Sequence, residues 1–138
     1  MADTKSHELG RFGEKVAVNF LTKNGYTVIG RNLRFSHHEL DIVAEDNDYI
    51  VFVEVKTRSY LDIEEAKIGI PGNAVDSKKI SNTIDATYAY LASNYTSKQP
   101  RIDVVEVYLK KGKSIFSSPQ VLRINHIRNA FDARGRKH

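Results

Sequence analysis

Between His7 and Asn24 the apolar residues Leu9, Phe12, Val16, Phe20 and Leu21 recur at helical spacing, with Ala17 on the same face. The pattern predicts a helix that Asn24-Gly25 terminates. The period then shortens. Tyr26–Phe35 reads as a first strand, Leu40–Glu45 as a second and Tyr49–Arg58 as a third, with the turn formers Asp46-Asn47-Asp48 between the last two. Tyr60–Val75 contains acids, Gly69, Pro71 and Gly72 without a clear period, so 59–75 is expected to be a mobile loop of the kind that carries function. Asp76 is placed to cap a second helix reaching about Asn94. In that helix Ile80, Ile84, Tyr88 and Leu91 face inward, Tyr90 faces outward, and Val75 staples onto Ile80. Arg101–Leu109 is the fourth strand, Lys110–Lys113 a turn, Ser114–Arg123 the region of a fifth strand, and Asn125–Phe131 a short closing helix.

The predicted order is α-β-β-β-α-β-β-α, an α/β fold. The third strand is apolar on both faces except at Glu54 and Lys56, which suggests a central strand covered by helices on both sides. Those two residues sit in VFVEVKTR, the most apolar strand of the chain, and residues two apart share a face. Glu54 and Lys56 therefore point with Phe52 and Ile50, and Val51, Val53 and Val55 point the other way. Pairing the second and third strands as a hairpin about Asn47-Asp48 sets Val43 opposite Phe52 and Asp41 opposite Glu54. Opposed residues share a face with Cβ atoms about 5 Å apart, so Asp41, Glu54 and Lys56 meet on one surface.

Two carboxylates at that separation repel, and one lysine compensates only in part. A divalent metal balances the pair better. Magnesium suits it, because it binds a few carboxylates, keeps several waters and serves phosphate chemistry; manganese is a possible substitute. Lys56 is then placed to orient or deprotonate a water, or to stabilise charge developing on phosphoryl oxygens. Glu14 borders the apolar face of the first helix beside Gly10 and Gly13. Those glycines fit either close packing of helix on sheet or a backbone that must approach a ligand. The bland alternative for the three strand residues is a solvated charged patch.

Length and composition narrow the classes. The 138 residues fit one domain over 1–138. The absence of cysteine excludes disulfides, thiolate zinc sites and cysteine nucleophiles. No apolar run is long enough to span a membrane, and the polar N-terminal stretch lacks the apolar region of a signal peptide, so a cytoplasmic location is expected. The net charge of +4 permits a nucleic-acid partner, and a basic tail occupies 132–138. His37-His38 are adjacent in a loop and make no ready chelate. Asp103 reads as a strand-end acid and Asp85 as part of a solvated helix face.

Asp41 followed by Glu54-Val55-Lys56 resembles the D…ExK signature of the restriction-endonuclease-like superfamily. Together with GRFGEKVAVNFLTKNGYTVIGRNLR, ELDIVA, VFVEVKTR, IPGNAV, IDVVEV and INHIRNAF, it resembles the YraN-type family of small bacterial proteins over nearly the whole chain. The arrangement is also similar to that of archaeal Holliday-junction resolvases. The resemblance implies a mixed five-stranded β-sheet flanked by helices. It implies a magnesium-dependent endonuclease acting on DNA, with branched DNA among the candidate substrates and a homodimer as one possible assembly. Asp41 and Glu54 would be metal ligands, Lys56 the catalytic lysine, and Glu14 the helix-borne acid that completes the metal site. Arg31, Arg58 and Lys78 would contact phosphates. The chain departs from its relatives at Ser36-His37-His38, where small glycines are frequent. Two other functions fit the residues: a nucleic-acid-binding module that does not cut, and a protein-interaction partner whose acids are structural.

Overall fold

The computed structural model describes residues 4–35, 37–58, 77–110 and 118–131. In chain order the elements are α1 (Thr4–Lys23), β1 (Thr27–Phe35), β2 (His38–Glu45), β3 (Tyr49–Arg58), α2 (Ser77–Ser93), β4 (Gln99–Lys110) and β5 (Gln120–Phe131). The loop expected at 59–75, the Asp76 cap, the Val75 staple and the 132–138 tail lie outside the described residues. The strands form one sheet in the order β1-β2-β3-β4-β5. Only the β3–β4 pair is parallel, with α2 in the connection between them, so the sheet is mixed and β3 is its centre.

Both faces of the sheet are covered. On one, Ala17 and Leu21 of α1 pack against Val51, Val53, Val105 and Val107. On the other, Ile80 and Ala86 of α2 pack against Val43, Phe52 and Val104. Each fully buried aliphatic side chain contributes about 1.5–3 kcal/mol, and β3 divides that contribution between the layers by sending Val51 and Val53 to one and Ile50 and Phe52 to the other. Gly13 lets α1 come close to the sheet: a Cβ there would overlap the Thr57 hydroxyl, whereas nothing crowds Gly10. Close packing therefore accounts for the first of these glycines.

Three expectations are corrected. The closing helix over Asn125–Phe131 does not form, because these residues are the second half of β5. Ile124 and Ile127, three apart, imitate a helical stripe. In a strand such residues face opposite sides, and here Ile124 meets the α1 layer and Ile127 the α2 layer. A register shift between the Ile102–Phe131 and Val104–Ile127 pairs further breaks the alternation, with Asn129 inside it at φ 50°.

Asp103 is not at an exposed strand end but fully buried. Arg101 Nε and Nη2 donate to its two oxygens at 2.9 Å, the Asn129 N–H donates at 2.8 Å, and His126 Nε2 lies 2.7 Å away. Burial alone would raise its pKa, but these partners outweigh it and hold the carboxyl below its ordinary value. The network fixes the irregular end of β5 to β4.

The inward stripe of α2 is rotated from the expected one. Tyr88 is 56% exposed, while Tyr90 stacks edge-on against Phe35 and Phe52. Thr83 and Thr87 are buried because their hydroxyls donate to the carbonyls four residues earlier, so they enter the core as satisfied groups.

Candidate active site

The β2–β3 hairpin is fixed at its tip by Asp46, whose Oδ1 accepts the backbone N–H groups of Asp48 at 2.9 Å and Tyr49 at 2.8 Å. Val43 pairs with Phe52, as the pattern predicts. The ladder ends at Ile42–Val53. One step further, Asp41 Oδ2 accepts the Val55 N–H at 2.9 Å, so a carboxylate takes the place of a main-chain acceptor where pairing stops. Glu54 is beside it, 7% exposed, with its carboxyl within hydrogen-bonding reach of Asp41.

This pairing is electrostatically costly. Burial, and then the charge of Asp41, push Glu54 from its ordinary 4.5 up to about 8. Burial also raises Asp41, against the opposing effects of the Val55 N–H and Lys79. Burial and the neighbouring charge thus both favour a proton on Glu54. The cation beside them is Lys79, whose Nζ lies 3.3 Å from Glu54 Oε1. Burial works against its charge, but Glu54 and Asp41 outweigh that and raise its pKa.

Glu14 approaches from α1. Burial, and then Asp41, raise its pKa, while a hydrogen bond with Asn32 and the charge of Arg31 work the other way. Its Oε1 is buried without a hydrogen-bond partner. The acids thus gather at the opening between β2 and β3, reached by α1 from one face and α2 from the other.

The donors are all carboxylate oxygens, which suits a hard divalent cation. A cation there would offset the Asp41–Glu54 repulsion and give the orphaned Glu14 oxygen a partner. Among the described residues, no three acidic or histidine side chains stand close enough together to hold a metal ion as a group. Asp41 and Glu54 would be the two carboxylates of an open site.

The remaining candidates separate. Lys56 follows Glu54 on the same face of β3, is partly exposed, and makes no ion pair or hydrogen bond among the described residues. Arg31 lies on β1 within reach of the Glu14 charge. Arg58 does not stand free, because its Nη2 contacts Glu106 Oε2 at 3.2 Å. Lys78 is exposed in the first turn of α2 and Lys79, its neighbour, meets the acids. Sequence reasoning missed Lys79. Its signal was position: Lys79 begins the stripe that continues through Thr83, Ala86 and Tyr90. His37 and His38 join no cluster. His37 has φ 67°, a backbone region that favours glycine, which gives a physical reason for the glycines expected in relatives at this turn.

Residues 13–107 match the sequence profile described as "Uncharacterised protein family UPF0102". The chain belongs to the UPF0102 family. It is 36% identical over 132 residues to a UPF0102 protein of Caldanaerobacter subterraneus subsp. tengcongensis, covering 95% of this chain and 100% of that one. It is 42% identical to a UPF0102 protein of Clostridioides difficile, covering 90% and 96%. A third UPF0102 protein, from Syntrophomonas wolfei subsp. wolfei, is 40% identical over 91% and 99%. The span matching the UPF0102 profile contains Glu14, Asp41, Glu54, Lys56 and Lys79.

No described helix is long and apolar enough to cross a membrane.

Proposed function

We propose that this UPF0102 protein is a metal-dependent endonuclease of the restriction-endonuclease-like type, hydrolysing phosphodiester bonds in DNA, with branched or structured DNA among the candidate substrates. The observation carrying this reading is the convergence of the half-buried Asp41 and the buried Glu54, with Lys56 next on the same strand face.

Asp41, Glu54 and Glu14 would hold a magnesium or manganese ion, which supplies Lewis-acid polarisation of a phosphoryl oxygen and a more acidic water. The Val55 N–H fixes the Asp41 carboxylate, so one oxygen has a set direction before any substrate arrives. Lys56 faces the phosphate side of this arrangement. As an ammonium it stabilises negative charge on the non-bridging oxygens; as an amine it removes a proton from the attacking water. Lys79, whose Nζ lies 3.3 Å from Glu54 Oε1, would favour the ionised form of Glu54 that ligation requires.

The test is cleavage of linear, branched and single-stranded DNA by the purified protein with magnesium or manganese. Cleavage that is lost with a chelator and absent in Asp41→Asn is expected. Turnover that survives Asp41→Asn would overturn the proposal. Salt-sensitive binding without metal-dependent turnover would instead favour a non-cutting nucleic-acid-binding module.

A further inference from the structure

The register of β3, β4 and β5 lines up three rows of side chains on the face that carries Glu54. Glu54 lies beside Val104, and Val104 pairs with Ile127. Lys56 lies beside Glu106, and Glu106 pairs with Asn125. Arg58 lies beside Tyr108, and Tyr108 pairs with Arg123. Laterally adjacent residues share a face, so Lys56 and Arg58 of β3 and Arg123 of β5 lie on one face, with Glu106 and Tyr108 of β4 between them.

Two of these cations are held in place. Glu106 is fully buried, with Oε2 at 3.2 Å from Arg58 Nη2 and Oε1 accepting from Asn125 Nδ2 at 2.9 Å. Arg58 keeps a buried Nε without a hydrogen-bond partner. Arg123 is exposed, yet its guanidinium lies 4.9 Å from the centroid of the buried Tyr108 ring. An arginine stacked on an aromatic face has lost much of its freedom and retains its outward donors.

We infer that Arg58 and Arg123 form a phosphate-binding track for the nucleic-acid strand leading away from the Asp41–Glu54 site, with Glu106 and Tyr108 as the residues that position them. The inference rests on the nuclease reading for its choice of polyanion. The strand's phosphates, spaced along its backbone, would meet Lys56 at the reacting position and the two arginines beyond it. Glu106 is a positioning residue. Its carboxylate holds Arg58 Nη2 at 3.2 Å, which fixes the orientation of the guanidinium. Arg123 is a binding residue that no sequence motif marked. It became visible only when the β4–β5 register set it beside Tyr108.

The experiment measures binding of a labelled duplex and a labelled single strand as a function of sodium chloride, in the Asp41→Asn background so that cutting does not interfere. Arg123→Ala removes an exposed cation, and its fold is checked by thermal unfolding. Arg58→Ala alone would strand the Glu106 carboxylate, so Arg58→Ala is combined with Glu106→Gln, and Arg58→Lys serves as the charge-conserving control. Arg123→Ala and the Arg58→Ala/Glu106→Gln pair should each weaken binding about five- to tenfold at moderate salt. Each should also flatten the slope of log affinity against log salt by about 0.7–0.9. Arg58→Lys should keep the slope but lose affinity, because a lysine cannot reproduce the guanidinium geometry. Folded variants whose affinity and slope match the parent would overturn the track and leave the nuclease reading intact. A parent that binds neither strand nor duplex would overturn both.

Discussion

Lys56→Ala will slow metal-dependent cleavage by about 10²–10⁴-fold, the range expected when a positioned general base or a charge-stabilising donor is removed. Metal binding should survive, because the carboxylates are untouched. Stability should barely change, because Lys56 is partly exposed and has no ion pair among the described residues. Rates measured at saturating substrate separate this from a binding defect: kcat should fall far more than KM rises. A comparable loss in metal affinity, or turnover within a few-fold of the parent, would remove Lys56 from the reaction.

Glu54→Gln will make the protein more stable while abolishing cleavage. A carboxyl whose pKa rises from 4.5 to about 8 on folding keeps a proton that the unfolded chain gives up. Its contribution therefore favours the fold below about pH 4.5 and is lost as pH climbs through about 8. Glutamine is neutral throughout and does not incur this loss. At roughly 1.4 kcal/mol per pKa unit, the gain over the parent should be about 3 kcal/mol larger at pH 8 than at pH 5. Losing the contact with Lys79 reduces it only in part, because Asp41 remains in the field of that lysine. Urea unfolding of both proteins across that pH range measures the difference. A pH-independent gap, or a variant less stable than the parent at pH 8, would show that Glu54 is not held at a cost in the metal-free fold.

The acid site was legible because a hairpin is a local object. Asp46 makes its own turn, period-two alternation sets the faces, and together these place Asp41 against Glu54 without any knowledge of the rest of the sheet. The α1 and β3 assignments followed from similarly strong periods. What could not be read came from long-range packing. β5 sends Ile124 to one layer and Ile127 to the other and is interrupted by the Asn129 irregularity, so its apolar residues lost the strand alternation and copied a helical spacing. Asp103 looked like a surface acid because the arginine, histidine and main-chain N–H that satisfy it come from positions 101, 126 and 129. Lys79 escaped notice because a hydropathy scale rates Lys79, Thr83 and Thr87 as an outward face. The burial of the two threonines depends on hydroxyl bonds back to the helix, and the inward turn of Lys79 on acids of β2 and β3.

The most direct measurement is a calorimetric titration of manganese into the purified protein and into Asp41→Asn, run near pH 7 in two buffers of different ionisation heat. Single-site binding to the parent is expected, with protons expelled from the Asp41–Glu54 pair and the signal abolished in Asp41→Asn. Binding that Asp41→Asn leaves unchanged, or a parent that takes up no divalent ion, would contradict the assignment of these carboxyls as metal ligands.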